Sequence, residues 1–412
     1  MTLDLRVLHR SDLDAWFGVL GTAFGGALQA PEERDKWRAL CEPARSIGAW
    51  DGSEAVGTAG AFSFRMTVPG GAAVPTAGVT MVSVKPTHRR RGILRAMMRR
   101  QLDDVRSWGE PLAVLTASEP VIYGRFGYGV AAEQLTARVD TAVMRPVLPQ
   151  GADALRIRLV DPLAPEVRRA CEELYARRVP LRPGMLERRP GWERVPVHDP
   201  ESSREGASPM YCALAERDGE LRGYVRYAVR PDWDAAGSPA GEVLLRDLEA
   251  LDPAAHGALY DYLFGLDLTS RLRIGNRPVD DPLLHLVPDV RRCEVRVRDG
   301  LHLRLVDVGA ALSARAYAAP VDVVLEVSDP FCPWNEGRWR LSGGPGGASC
   351  ERTRDEAELA LSVRELAAAF LGGTSLSALA AAGRVRELRP GALTETAVAF
   401  RGEVAPWLPH GF

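Results

Sequence analysis

The stretch 79–129 constrains the fold of this 412-residue chain more than any other part of its sequence. Residues 79–84 form an apolar, β-branched run, which predicts a strand. Pro86 ends that run, because proline cannot continue a strand ladder. Apolar residues then recur at helical spacing over residues 93–102, and residues 112–116 form a second short apolar run. The stretch is therefore predicted to fold as a strand, a basic turn, a helix and a second strand.

The turn at residues 89–92, with the sequence Arg-Arg-Arg-Gly, has the chemistry of an anion site. A helix N-terminus presents unpaired backbone N–H groups and the positive end of the helix dipole. A glycine there lets a ligand approach the backbone closely, and arginines add charge-assisted donors. Together these features suit a pyrophosphate. An Arg-rich run alone favours the alternative, a surface helix with a solvated basic start.

The same residues carry a family resemblance. Arg89-x-x-Gly92-x-Leu94, which follows the predicted strand, resembles the acetyl-CoA signature of the GNAT N-acetyltransferases, with Leu94 where that signature usually has a small residue. Two longer strings, VSVKPTHRRRGILRAMM and TASEPVIYGRFGYG, look like the Eis (enhanced intracellular survival) branch of that superfamily. The resemblance extends over the whole chain. It implies an α/β (α+β) fold of tandem GNAT-like domains followed by a sterol-carrier-protein-like C-terminal domain.

The expected domain boundaries follow the pattern of predicted elements. Residues 1–150 are the expected catalytic GNAT domain, which binds acetyl-CoA. Residues 151–295 repeat the strand and helix pattern without an Arg-x-x-Gly turn, so we expect a second GNAT-like domain without a cofactor site. Residues 296–412 are the expected sterol-carrier-like domain, with a final strand at 394–400. A structural platform that positions the C-terminus is favoured there over lipid binding.

The amino-acid composition limits which kinds of binding partner and which cellular compartment we expect for this protein. The net charge is −2, so no overall field favours nucleic acid or a membrane surface. The first residues include acids and have too short an apolar stretch for a signal peptide, and no run is long enough to span a bilayer. The six cysteines are scattered without a CxxC pair or a histidine at metal-ligand spacing. We therefore expect a cytoplasmic protein with reduced thiols and no metal.

The resemblance implies acetyl-CoA as the acetyl-donor co-substrate. The backbone of the predicted strand can bond the pantetheine arm and the thioester carbonyl, if the strand splays there. The arginine turn can hold the pyrophosphate, and Ser118 and Glu119 border the cofactor in this family. For Ser118, a helix N-cap is the alternative. The expected cofactor-binding residues are Val82, Ser83, Val84, Arg89, Arg90, Arg91, Gly92, Ile93, Leu94, Arg95, Ser118 and Glu119.

Two groups are the candidates for proton transfer. The match to the family string IYGRFGYG assigns the general acid to Tyr123, and without it Tyr128 would be nearly as good a candidate. A phenol stays protonated at neutral pH and can donate to a departing thiolate. Eis-type enzymes use the terminal carboxylate as the base, which here belongs to Phe412, and the family often has a histidine where Thr116 stands. Glu119 is the alternative base.

The sequence constrains the molecule that accepts the acetyl group less than it constrains the donor. Trp16, Phe24 and Trp37 lie on the first two predicted helices, where a GNAT fold borders its acceptor pocket, or they are simply core. The resemblance implies polyamines or aminoglycosides acetylated at several positions, with protein lysines as an alternative class of acceptor. A lipid carrier or scaffold with decayed GNAT domains is the non-enzymatic alternative. The family also implies assembly as a homo-hexamer.

Overall fold

The computed structural model describes residues 3–25 and 30–412. The chain divides into two compact units rather than the three predicted domains. The reason is that residues 299–406 belong to the same unit as the N-terminal residues. Unit 1 comprises Met1–Ala132, Asp299–Pro406 and Gly411–Phe412, and unit 2 comprises Glu133–Arg298 and Trp407–His410. The boundaries expected at residues 150 and 295 stay a prediction.

The N-terminal part of unit 1 alternates strands and helices. Pro31 opens the second helix at the position that suits proline, and the predicted strand, basic turn, helix and strand around residues 89–92 are confirmed. The elements are β1 (Leu3–Val7), α1 (Leu13–Ala23), α2 (Pro31–Leu40), β2 (Ile47–Asp51), β3 (Glu54–Thr67), β4 (Ala73–Val84), α3 (Ile93–Ser107), β5 (Leu112–Leu115) and α4 (Pro120–Tyr123). Met98, Leu102 and Val105 of α3 are fully buried and form a core cluster with residues of β4 and β5.

Unit 2 repeats this alternation of strands and helices. Its elements are β6 (Gly129–Asp140), which begins in unit 1, β7 (Arg156–Val160), α5 (Pro165–Arg178), β8 (Tyr211–Arg217), β9 (Glu220–Arg230), β10 (Gly241–Ala250), α6 (Pro253–Phe264), β11 (Thr269–Arg277) and α7 (Leu283–Leu286). The strand order is β6, β11, β10, β9, β8 and β7. Only β10 and β11 pair in parallel, as expected for two strands joined by a crossover helix.

The C-terminal part of unit 1 forms a five-stranded sheet in the order β15, β14, β13, β16 and β17. The elements of this part of the chain are β12 (Arg296–Leu305), which begins in unit 2 and lies outside the five-stranded sheet, α8 (Val308–Ser313), β13 (Val321–Ser328), β14 (Gly337–Gly344), β15 (Gly347–Arg352), β16 (Leu359–Ser362), α9 (Val363–Ala369), α10 (Leu376–Ala381), β17 (Val385–Glu387) and α11 (Ala392–Phe400).

The predicted strand at 394–400 is wrong, because these residues form most of α11. The segment contains the β-branched residues Thr394, Thr396 and Val398, but the buried positions Ala392, Thr396, Ala399 and Phe400 follow helical spacing. The hydroxyl of Thr396 donates to the Ala392 carbonyl at 2.7 Å, a bond that a helix allows at this spacing. Tertiary burial therefore overrides the local strand preference.

The first sheet of unit 1 is closed by a strand from far along the chain. Its order is β1, β2, β3, β4, β5 and β12. β12 pairs antiparallel with β5, with His302 opposite Leu115 and Leu305 opposite Leu112. In unit 2, β6 pairs antiparallel with β11, with Val139 opposite Leu272. β6, which follows α4 in the chain, therefore pairs with a strand of unit 2, and β12 is the strand that pairs with β5 in unit 1.

No helix among residues 3–25 and 30–412 is both long and apolar enough to cross a membrane.

Candidate active site

β4 carries a bulge in its pairing with β3. Its register with β3 shifts between Ser83, opposite Thr58, and Thr80, opposite Gly60. Met81, inside the bulge, has φ of 53°, a left-handed value that is uncommon outside glycine. The Thr58 hydroxyl lies 2.6 Å from the Met81 carbonyl oxygen, to which it donates, so the displaced peptide keeps a partner.

The parallel pairing of β4 with β5 is short. In the described part of the chain it covers Thr76–Gly78 and Leu112–Val114 only. Beyond Gly78 the two strands separate, and residues 82–84 lose β5 as a hydrogen-bonding neighbour on that side. The backbone of residues 82–84 therefore has no partner in β5, as an extended ligand bonded to this strand would need.

The turn before α3 exposes the N-terminus of that helix. Gly92 is the N-cap residue with φ of 80°, and none of the described side chains caps the helix. A Cβ built on Gly92 would meet no atom within 4 Å, so the space in front of it is open. The first N–H groups of α3 are therefore available to an anion.

A cavity of about 560 Å³, which we term the turn cavity, lies where the splay meets the turn. All the predicted cofactor-binding residues except Arg91 line it. Its wall holds four arginines and one glutamate, so its field favours anions. The lining residues are Ala23, Phe24, Val82, Ser83, Val84, His88, Arg89, Arg90, Gly92, Ile93, Leu94, Arg95, Ser118, Glu119, Ile122, Tyr123, Arg125 and Phe126.

Arg125 is the clearest lining residue that sequence reasoning missed. It lies inside the string IYGRFGYG, two residues after Tyr123, and its basic side chain in a glycine-rich turn was the available signal. Arg89 donates to the Ala23 carbonyl at 3.1 Å, which ties the turn to the end of α1. The N-cap of α4 is Glu119, without a side-chain cap bond, so the alternative role of Ser118 as an N-cap is not realised.

A second cavity of about 310 Å³, the aromatic cavity, shares Phe24, Val82, Ser118 and Tyr123 with the turn cavity. The other residues lining it are Asp14, Phe17, Gly18, Leu20, Gly21, Arg34, Trp37, Val79, Thr80, Met81, Thr116 and Phe412. Five of its side chains are aromatic, and Asp14 and Arg34 are its charged side chains. The shared wall gives the two cavities a common boundary at which two reactants can meet.

The three aromatic residues suggested for acceptor binding have different positions. Phe24 and Trp37 line the aromatic cavity. Trp16 does not: it is fully buried, and its indole donates to the Ile47 carbonyl at 3.0 Å. Trp16 packs edge-on against Phe17 in the core under α1, so its placement in the acceptor pocket is corrected to the core alternative.

The two candidate tyrosines differ in access. Tyr123 lines both cavities, and burial, followed by the nearby Glu119 carboxylate, raises the pKa of Tyr123 to about 12. Tyr128 is only 1% exposed and lines neither cavity. Burial also raises the pKa of Tyr128, and its hydroxyl has no hydrogen-bond partner among the described residues. Tyr123 is thus the tyrosine that can reach a ligand.

Phe412 lines the aromatic cavity, and its ring lies edge-on 5.1 Å from the ring of Phe64. Gly78 makes room for this pair, because a Cβ there would fall 2.3 Å from the Phe64 ring and 3.3 Å from the Phe412 ring. The last residue of the chain is therefore held against β4, in the cavity that also contains Tyr123.

The preceding tail residues belong to unit 2 and are fixed there by Asn276 of β11. The amide nitrogen of Asn276 donates to the carbonyls of Leu408 and Pro409 at 3.0 and 3.2 Å. The Trp407 indole donates to the Asn276 amide oxygen at 2.9 Å, and the Trp407 N–H donates to the Pro183 carbonyl at 2.9 Å. These bonds immobilise the chain three residues before its end.

In unit 2 the N-terminus of α6 already holds a carboxylate. Asp252 is the N-cap residue and accepts a bond from the Ala255 N–H at 2.8 Å. Arg222 and Arg217 lie 2.8 and 3.3 Å from that carboxylate. A pyrophosphate at this position would meet a fixed negative charge, in contrast to the open turn at Gly92.

Comparisons with known proteins agree with this geometry. Residues 4–131 and 184–305 each match a model of the GNAT acetyltransferase domain, and residues 308–409 match a model of the sterol carrier protein domain. The chain is 65% identical over 412 residues to an uncharacterized N-acetyltransferase of Streptomyces avermitilis, covering all of both chains.

Two mycobacterial proteins extend the comparison. The chain is 37% identical over 417 residues to the N-acetyltransferase Eis of Mycobacterium tuberculosis (strain ATCC 25177 / H37Ra), covering 98% of each chain. It superposes on the crystal structure of Eis1 from Mycobacterium abscessus with a TM-score of 0.84 and 36% identity, covering all of both chains.

The fold and the matches define an N-acetyltransferase with two GNAT domains followed by a sterol-carrier-like C-terminal domain, as the sequence predicted. The chain belongs to the Eis family of these enzymes.

Proposed function

We propose that this enzyme transfers the acetyl group of acetyl-CoA to a primary amine, with aminoglycosides as the acceptors to test first. The observation that carries the proposal is the shared wall of the two cavities, which includes Tyr123. A donor held in the turn cavity and an amine held in the aromatic cavity would meet at that wall. Two occupants of separate cavities are a suitable arrangement for direct transfer, because both can be positioned before reaction.

The residues of the turn cavity fit acetyl-CoA. The open space before Gly92 and the uncapped start of α3 suit a pyrophosphate. Arg89, Arg90 and Arg95 supply charge-assisted donors. The splayed backbone of residues 82–84 suits an extended pantetheine arm, which needs backbone partners. When bound, this co-substrate supplies a thioester whose acetyl group an amine can accept.

The protein's own part is proton transfer and positioning. The phenol of Tyr123 holds its proton throughout the neutral range, as a phenol of ordinary pKa does and as burial of this one reinforces, and can donate it to a departing sulfur. The Phe412 carboxylate can accept a proton from an ammonium group that enters the aromatic cavity. Unlike a histidine, a carboxylate stays ionised over the whole neutral range.

The terminal carboxylate and the aromatic faces of the aromatic cavity suit a cationic acceptor. Asp14 already forms an ion pair with Arg38 and Arg34 is positive, so the Phe412 carboxylate is the negative group that an ammonium group would meet. Phe24 and Trp37 offer apolar faces on which a sugar ring or an alkyl chain can pack, and aromatic faces also attract ammonium groups. An aminoglycoside combines ring faces with several ammonium groups, and a lysine side chain supplies only one.

The deciding experiment follows release of the CoA thiol with an aminoglycoside panel, a lysine-containing peptide and no acceptor. Release with aminoglycosides above the peptide supports the proposal. Release with the peptide alone would instead indicate a protein-lysine acetyltransferase. If folded protein that binds acetyl-CoA released the CoA thiol with neither acceptor, both proposed activities would be contradicted. The result would favour the alternative that the protein is a lipid carrier acting through its sterol-carrier-like domain.

Gly92→Glu is expected to abolish acetyl-CoA binding, because it places bulk and a carboxylate where the pyrophosphate is proposed to lie. Calorimetry on the folded variant measures this effect. Gly109→Glu is the matched control: Gly109 has φ of 73°, open space around its Cβ and no position in the turn cavity. Unchanged affinity of Gly92→Glu would remove the turn from the binding site.

We also propose a homo-oligomer larger than a dimer, with the hexamer implied by the family resemblance as the expected state. Light scattering coupled to size exclusion at micromolar concentration measures its mass against the 44.8 kDa of one chain. A monomeric mass under those conditions would contradict the proposal.

A further inference from the structure

A second strongly charged cavity lies in unit 2, and none of its lining residues belongs to the turn cavity or the aromatic cavity. Its volume is about 650 Å³, within the range of small-molecule sites. Five arginines and two glutamates line it, so its walls carry a net positive charge. The lining residues are Thr136, Ala137, Arg138, Arg230, Glu242, Arg273, Ile274, Gly275, Glu294, Arg296 and Arg298.

The strand register makes this cluster of arginines unfavourable in the absence of a ligand. Arg138 of β6 and Arg273 of β11 are direct partners in the antiparallel pair, and both line the cavity. Like charges directly opposite each other destabilise a sheet. The fold does not require two arginines at these opposed positions, because a neutral side chain at either one would remove the repulsion.

The carboxylates present do not neutralise the cluster. Glu242 lies 3.2 Å from Arg138 and 3.3 Å from Arg230, so one carboxylate serves two guanidinium groups. Arg273 and Arg296 have no carboxylate within ion-pairing distance among the described residues. The five N–H donors of each guanidinium group are therefore available to water or to a ligand.

We propose that this cavity binds a compact molecule carrying two or more phosphate groups. Guanidinium groups match phosphate oxygens in pairs, and several phosphates balance the excess of arginine. The described lining has no aromatic side chain on which a nucleobase could stack. The phosphates rather than a base are therefore the recognised part, and inorganic tripolyphosphate should bind about as tightly as ATP.

The test is calorimetric titration of the full chain with pyrophosphate, tripolyphosphate and ATP at one fixed ionic strength, because exposed charges respond to salt. The titration uses the Gly92→Glu background, which is expected to remove the turn cavity as a phosphate site, and is repeated in the unmodified chain. Arg273→Ala with Arg296→Ala should weaken binding about tenfold for each arginine removed. The charge-matched control, Arg156→Ala with Arg246→Ala, lies outside the cavity and should leave binding unchanged.

Thermal unfolding gives an independent readout. Tripolyphosphate should raise the Tm of the unmodified chain, since a ligand that binds the folded state stabilises it. It should not raise the Tm of the Arg273/Arg296 variant, whose own Tm should be equal or higher because the repulsion with Arg138 is gone. Absence of binding by all three phosphates, binding that survives the double substitution, or binding of ATP alone would each overturn the proposal.

Discussion

Replacing Tyr123 by phenylalanine should lower kcat by about 10²- to 10⁴-fold, the usual effect of removing a positioned proton donor. The substitution removes one hydroxyl from the wall shared by the two cavities and leaves the ring in place. Acetyl-CoA affinity should stay the same, because the turn before α3 is untouched. Steady-state kinetics and calorimetry on the same preparation separate these two quantities.

Tyr128→Phe is the matched control for this prediction. The two rings lie 6.0 Å apart, and both substitutions remove a single hydroxyl. The buried Tyr128 hydroxyl has no partner among the described residues, so its loss should leave kcat and the free energy of unfolding nearly unchanged. A large loss of kcat in Tyr128→Phe with little loss in Tyr123→Phe would reverse the assignment of the acid.

Deleting Phe412 should lower kcat to a similar degree, about 10²- to 10⁴-fold, if its carboxylate is the base. The deletion moves the carboxylate back by one residue, up to ~3.5 Å of chain reach, which is enough to break a hydrogen-bonded contact. Adding two residues after Phe412 should have the same effect while keeping the ring beside Phe64. Single-turnover kinetics with saturating acetyl-CoA measure the chemical step directly.

Two controls separate the carboxylate from the ring. Phe412→Leu keeps the terminal carboxylate and removes the aromatic contact with Phe64, so most of kcat should remain. An N-terminal tag of the same length as the C-terminal extension should have no effect. Full activity of a C-terminally extended protein would show that the free carboxylate is not the base, and Glu119 in the turn cavity would become the candidate.

The tail of the chain is anchored close to its end, so a change of one residue there should have a clear effect on kcat. Asn276 fixes the carbonyls of Leu408 and Pro409, so only three residues separate the last anchored group from the end of the chain. Within unit 1, the edge-on contact of the Phe412 ring with Phe64 lowers the entropy lost when the carboxylate is placed. Free chain ends are usually poorly ordered, and this ring contact opposes that tendency.

Local patterns in the sequence were sufficient to predict the turn before α3 and the helix itself, because both depend on residues within a few positions of one another. The bulge at Met81 was not predictable in this way, because it arises from the register between β4 and β3. The core position of Trp16 depends on a carbonyl acceptor 31 residues away, Ile47, so helical spacing alone left two alternatives open.

Short stretches of sequence show only part of the arginine-lined cavity of unit 2. Its arginines come from β6, β9, β11 and β12, and only Arg296 and Arg298 are near neighbours in the sequence. The opposition of Arg138 to Arg273 follows from strand pairing between residues far apart in the chain. By contrast, the charges of the turn cavity are visible because three arginines are consecutive.

The position of β12 beside β5 has a consequence for biosynthesis. The paired residues are about 190 positions apart, so β5 lacks this neighbour while the ribosome adds the intervening chain. At about 5–20 residues per second, that interval lasts about 10–40 s. All four residues of β5 are buried in the finished protein, so the nascent chain carries an apolar strand with one open edge during this time. We therefore expect the nascent enzyme to depend on chaperones that cover such edges until β12 emerges.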